Sequence, residues 1–73
     1  MTTVGLVFDE RCLPRQGYEI NDGGYITSGS FSPVLNQPIA IAMVPKSIEV
    51  GQVVTVNIRN RDFTANVVEL PFV

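Results

Sequence analysis

The chain has 73 residues and a formal net charge of −2, from seven acidic and five basic side chains. This length allows one small domain with a marginal core, and this charge argues against binding RNA or DNA, whose protein modules normally carry a basic face. Because the chain contains no histidine, it excludes a Ser-His-Asp triad, an imidazole base and a histidine metal site, so we predict no catalytic residue and no metal site.

The sequence contains no recognisable signal for secretion or for insertion into a membrane. Its first residues lack the charged and apolar regions of a signal peptide, and the longest strongly apolar stretch, residues 39–44, is too short to cross a bilayer. Cys12 is the only cysteine, and a lone reduced thiol fits the cytoplasm better than a secreted scaffold. We therefore predict a cytoplasmic protein without membrane contact, in which Cys12 is a small buried or half-buried hydrophobe.

Short extended segments occupy the first half of the chain. Residues 4–8 form an apolar, β-branched run, and residues 18–20 and 25–27 form two more on either side of an Asn-Asp-Gly-Gly cluster. That cluster is a strong hairpin signal. Gly29 follows a strand, where we expect a positive φ to require glycine. Ser32 and Pro33 fit the N-cap and first position of a single helical turn.

The second half of the chain predicts three further strands. Residues 39–44 are apolar on both faces, and we expect the face with Ala40 and Ala42 to lie beneath a neighbouring segment or another domain while the other face fills the interior. Residues 53–59 and 63–68 alternate apolar and polar side chains, which predicts a hairpin with a turn at Asn60 and Arg61. Six short strands predict an all-β fold, a small closed or nearly closed six-stranded barrel of Greek-key type, because closure removes exposed sheet edges.

Two motifs carry a family resemblance. Residues 27–33 have the pattern T-S-G-x-F-S-P, and residues 39–45 have the pattern I-A-x-A-x-V-P. Residues 4–6 and 13–18 precede them, residues 68–73 close the set, and residues 58–61 are similar to bacterial members in particular. In this order, and over nearly all of the chain, the motifs resemble the C-terminal barrel domain of the glycine cleavage T-protein, or aminomethyltransferase, family.

The resemblance implies both a fold and a function. It implies that residues 1–73 form one barrel domain of a larger multidomain protein, similar to a domain shared with translation elongation factors. T-proteins transfer the aminomethyl carbon from the lipoylated carrier H-protein to tetrahydrofolate and release ammonia. The resemblance implies that upstream domains bind most of the tetrahydrofolate, that the barrel closes one side of the folate cavity, and that the isolated chain is inactive.

Arg15 is the candidate site residue. It matches an arginine that recurs in a P-R-x-G-like segment of the family, which implies a position near the folate cavity or a domain interface. A guanidinium binds carboxylates in bidentate fashion, whether on an upstream domain or on the glutamyl tail of a folate. We favour an interdomain or surface salt bridge without ligand contact. We interpret Arg59 and Arg61, which flank a predicted turn, as solvated charges, and Phe31, Phe63 and Phe72 as core or interface anchors.

Two alternatives stay open at this point. Similar C-terminal barrels occur in sarcosine- and dimethylglycine-oxidising enzymes and in folate-dependent demethylases, and a flavin-binding domain upstream would favour that function. The chain could also be a free-standing, non-catalytic interaction module. Two departures from the family are visible: the turn at residues 20–24 is shorter than in many members, and the family usually continues past the position of Val73 with a further folate contact.

Overall fold

A computed structural model describes residues 1–70 of the chain. Its five strands are β1 (Thr2–Phe8), β2 (Tyr25–Ser32), β3 (Gln37–Val44), β4 (Val53–Ile58) and β5 (Arg61–Val68). Neighbouring strands are antiparallel and form one sheet in the order β2-β3-β1-β5-β4. The all-β prediction is confirmed, although the strands number five rather than six. Among residues 1–70 no helix is long and apolar enough to span a membrane.

The predicted strand at residues 18–20 is instead a connector between the two edge strands of the sheet. Glu19 makes an isolated bridge with Tyr25 of β2, and Ile20 makes one with Val56 of β4. The Asn21 amide donates a hydrogen bond of 2.8 Å to the carbonyl of Thr55. A continuous ladder therefore does not close the sheet, but this short segment joins its two ends.

The core lies on the inner face of this curved sheet. Alternate side chains of β3, β4 and β5 are buried there, and in β4 and β5 this follows the alternation in residues 53–59 and 63–68. β1 contributes alternate residues to the same cluster, whereas β2 contributes only Ile26. The loop residues Ile20 and Ile48 complete the same cluster. The strand residues of the cluster are Val4, Leu6, Phe8, Ile26, Ala40, Ala42, Val44, Val54, Val56, Ile58, Phe63, Ala65 and Val67.

The orientation of β3 is opposite to the one expected from the sequence. Ala40 and Ala42 are buried on the inner face, while Ile39, Ile41 and Met43 point outward and are only partly buried. The register explains this arrangement, because Ala40 lies opposite Leu6 and Ala42 lies opposite Val4 on the central strand β1. Small side chains on β3 leave the space that the larger side chains of β1 fill.

Both hairpin turns differ in detail from the predicted ones. Residues 33–36 form a turn between β2 and β3 rather than a helical turn, although Ser32 does cap it, since its Oγ accepts a hydrogen bond of 3.2 Å from the Leu35 amide. The β4–β5 hairpin is confirmed, but its turn residues are Arg59 and Asn60, one position earlier than expected. Both have positive φ, 52° and 65°, as the central residues of a type I′ turn do.

Candidate functional site

The loop between β1 and residues 18–20 crosses one end of the barrel. The strand registers bring the end of β2, the start of β3 and the β4–β5 turn to the end of the sheet at which β1 finishes. Asn66 Nδ2 donates a hydrogen bond of 3.2 Å to Asp9 Oδ1 at the start of this loop. The Gly17 amide donates one of 2.9 Å to the Ile26 carbonyl at its finish. The loop is thus tied to the sheet on both sides.

Gly29 allows the loop to lie directly on β2. Pro14 is buried, and its backbone carbonyl lies so close to Gly29 that a Cβ at this position would overlap it. The φ of Gly29 is outside the left-handed region, so the expectation of a positive φ is wrong. Glycine is required here by the close approach of another backbone segment.

Three adjoining grooves surround this loop and meet at Cys12 and Leu13. The largest has a volume of about 450 Å³. Its apolar walls are exposed, with Leu13 65% and Phe31 49% accessible to solvent. We call the combined surface the arginine-rimmed groove. Its defining side chains are Arg11, Cys12, Leu13, Arg15, Phe31, Pro38, Arg59, Arg61 and Phe63.

All four arginines of the chain line this groove, although the chain carries a net negative charge. Arg61 lies over the ring of Phe63, with its Cζ 5.2 Å from the ring centroid. Its Nη2 is 3.5 Å from Glu10 Oε2 in an exposed pair, which is a weak interaction in water. This is the one ion pair within residues 1–70. The fifth cation, Lys46, lies in the turn after β3, outside the groove.

Cys12 is half-buried and packs against the core, which confirms the interpretation from the sequence. Burial raises the pKa of its thiol, and the nearby negative charge of Glu10 raises it further. A raised pKa keeps the thiol protonated at neutral pH, which is the opposite of what an activated nucleophile needs. Residues 1–70 also contain no cluster of three or more metal-binding side chains.

The structure brings two residues singled out in the sequence analysis, Arg15 and Phe31, to the same groove. Arg15 is exposed at the rim of the groove, in the part that Phe31 also lines, and its role, a salt bridge or a contact with folate, stays a prediction. Phe63 is buried in the core and Phe31 is half-exposed, so one anchors the core and the other is available to a partner. Phe72 and the end of the motif at residues 68–73 lie outside the described residues.

The convergence of the arginines was not visible in the sequence. Strand pairing alone could have brought Phe31, Pro38 and the Arg59 turn to the same end of the sheet, because these residues lie at the ends of adjacent or nearby strands. The position of Arg11 and Arg15 depends on a loop without repeating pattern, and no local signal indicates where such a loop crosses a barrel.

Comparison with known proteins gives a consistent result. The family described as "Glycine cleavage T-protein C-terminal barrel domain" matches residues 2–73. An aminomethyltransferase of Symbiobacterium thermophilum is 47% identical over 74 aligned positions, which cover 94% of this chain and 20% of that protein. One of Thermosipho melanesiensis is 39% identical over 93% of this chain and 20% of its own length. One of Ralstonia nicotianae is 58% identical over 68% of this chain and 13% of its own length.

The family match and two of the three relatives cover nearly the whole chain, but each match covers only a minor part of the relative. The chain spans about a fifth of the length of the relatives that it matches end to end. The motifs at residues 27–33 and 39–45 lie mainly in strands β2 and β3. Because the family match extends over residues 2–73, the chain belongs to the family of glycine cleavage T-protein C-terminal barrel domains.

Proposed function

We propose that this chain is the C-terminal domain of an aminomethyltransferase of the glycine cleavage system, which acts in the cytoplasm. In this proposal the whole enzyme transfers the aminomethyl carbon from the lipoylated H-protein to tetrahydrofolate and releases ammonia. The barrel closes one side of the folate cavity, and the upstream domains supply the catalytic groups. The isolated chain has no activity of its own.

The family match over residues 2–73 carries this proposal. The three relatives named above are each called aminomethyltransferase, which favours this activity over that of an oxidising or demethylating enzyme. The chemistry of the chain supports a non-catalytic role, because it contains no histidine and its cysteine has a raised pKa. An exposed apolar surface on so small a barrel is typical of a domain that packs against others.

The test is a replacement experiment in a full-length enzyme. The barrel of the Symbiobacterium thermophilum aminomethyltransferase is exchanged for residues 1–73 of this chain, and tetrahydrofolate-dependent ammonia release from aminomethylated H-protein is measured. We expect the fusion protein to be active and the same enzyme without any barrel to be inactive. A fusion protein no more active than the enzyme without a barrel would overturn the proposal.

Arg15 gives a finer prediction within this experiment. If its guanidinium pairs with a carboxylate of an upstream domain, Arg15→Ala should destabilise the fusion protein by about 1 kcal/mol, as partly exposed ion pairs do. The KM for tetrahydrofolate should then change little. Thermal unfolding and steady-state kinetics of the wild-type, Arg15→Ala and Arg15→Lys proteins measure both quantities. A large increase in KM without loss of stability would instead place Arg15 against the folate.

A further inference from the structure

We propose that the arginine-rimmed groove docks a surface of the upstream domains on which an apolar side chain is flanked by carboxylates. This inference rests on the proposed function, since it requires that upstream domains exist. It adds which face of the barrel they contact and what chemistry that contact has. Three features of the described residues support it: the apolar floor of the groove, the sign of the charge around it and the backbone conformation of Arg59.

The floor of the groove is apolar and open. Leu13 and Phe31 are among the large hydrophobic side chains that remain exposed, and they line the same groove beside Pro38 and the half-buried Cys12. A contiguous apolar surface with a polar rim is typical of a protein interface. A side chain inserted between Leu13 and Phe31 would be removed from water on several sides, as anchor residues at interfaces are.

The charged side chains that line the groove are all arginines. Arg11, Arg15 and Arg59 have no carboxylate within ion-pair distance among residues 1–70, and only Arg61 is paired, with Glu10 at 3.5 Å. An acidic partner surface would complement this rim, whereas like charges placed opposite each other disfavour association. A second copy of this chain would bring arginine against arginine, so the charge favours a different and acidic surface.

The backbone of Arg59 supports a role for its side chain. Its φ of 52° lies in the left-handed region, which is unfavourable for a residue with a long side chain and which glycine or asparagine adopts more easily. Strain of this kind occurs preferentially at functional positions. The left-handed conformation of Arg59 holds its charged group at the rim of the groove. An asparagine or glycine at this position would form the same turn without the charge.

Cys12 provides a built-in reporter of docking, because it is the only cysteine of the chain and lines all three parts of the groove. The experiment measures the rate at which uncharged iodoacetamide labels the Cys12 peptide, by mass spectrometry, in residues 1–73 alone and in the full-length fusion protein. Each variant is measured in both contexts, so that the ratio of the two rates removes any direct effect on thiol reactivity.

We expect labelling in the fusion protein to be at least about tenfold slower than in the chain alone, which corresponds to about 1.4 kcal/mol of protection. Arg59→Glu should remove most of this protection. Lys46→Glu is the matched control, because it reverses an exposed charge outside the groove, and it should retain the protection. This pattern would support the proposal.

The remaining outcomes separate the inference from the proposed function. An active fusion protein with unprotected Cys12 would overturn the docking face and leave the function standing. If Arg59→Glu and Lys46→Glu change the protection of Cys12 equally, the inference that the partner surface is acidic would be wrong. An inactive fusion protein with arginine-dependent protection would support docking and count against the function. An inactive and unprotected fusion protein would overturn both.

Discussion

At the scale of single residues, Gly29 shows that a glycine can be required by a neighbouring backbone rather than by its own φ. The sequence correctly marked the position as one that needs glycine, because it follows a strand within a Ser-Gly-Ser segment. It did not indicate the reason, because the carbonyl that excludes a side chain belongs to Pro14 on a distant loop. Contacts of that kind depend on the tertiary path of the chain and leave no local pattern.

Gly29→Ala is therefore expected to destabilise the barrel. A methyl group at this position must displace the Pro14 backbone, and insertion of extra atoms into a tightly packed site costs about 1–3 kcal/mol. For a domain of this size that lowers the melting temperature by roughly 4–8 °C per kcal/mol. Thermal unfolding followed by circular dichroism measures the effect.

Ser30→Ala is the matched control for this substitution. Ser30 is an exposed neighbour on the same strand, and its replacement should change the stability by less than about 0.5 kcal/mol. Equal stabilities of the Gly29→Ala and Ser30→Ala proteins would show that the loop does not lie on β2 as described.

At the scale of the elements, the sequence predicted best where the alternation was strict and both partners were adjacent in the chain. In β4 and β5 the alternate residues Val54, Val56 and Phe63 are buried as expected. It predicted less well for β3, because both faces of that strand are apolar and alternation then gives no direction. Only the pairing of Ala40 with Leu6 across the sheet decides which face is inside.

The β4–β5 turn offers a prediction on local strain. Arg59→Asn places a residue that tolerates a left-handed backbone at φ 52°. We expect it to stabilise the isolated chain by about 0.5–1 kcal/mol, which is part of the cost that a left-handed residue normally carries. Denaturant unfolding of the chain measures the change.

The result for Arg59→Asn distinguishes a turn effect from a charge effect. Arg11→Asn removes an equivalent groove charge from a loop residue without positive φ, and it should leave the stability nearly unchanged. If both substitutions stabilise the chain equally, relief of repulsion between arginines, rather than backbone strain, would be the cause.

At the scale of the whole molecule, the two edge strands of the sheet are joined through one short segment. The prediction of six strands counted residues 18–20 as a strand. In the structure this segment forms only isolated bridges, at Glu19 and Ile20, and no ladder of strand pairs. The all-β class and the nearly closed form were predictable from the composition of short strands and turns. The grouping of four arginines at one end was not, because it arises only after the sheet has curved.

Ile20→Ala should therefore weaken the junction between the edge strands as well as the core. Ile20 is buried, and truncation of a buried isoleucine costs about 2–5 kcal/mol. We expect faster hydrogen exchange of the Asn21 amide, whose bond to the Thr55 carbonyl spans the junction, measured by NMR.

Val34 supplies the control for this loss of core volume. It is 87% exposed at the tip of the β2–β3 turn, so Val34→Ala should leave both the stability and the exchange of Asn21 unchanged. Uniform acceleration of every core amide in Ile20→Ala would indicate global destabilisation without any local opening of the junction.

The place of β1 in the sheet has a consequence for how the protein is made. This strand precedes the other four in chain order, yet it lies at the centre of the sheet, with Leu6 opposite both Ala40 of β3 and Val67 of β5. During synthesis it leaves the ribosome with neither neighbour available. Pairing between such distant segments is slow, and unpaired apolar strands are prone to aggregate. A nascent chain that pauses before β5 emerges would hold its central strand half-paired, with one edge open to chaperones, proteases and other chains.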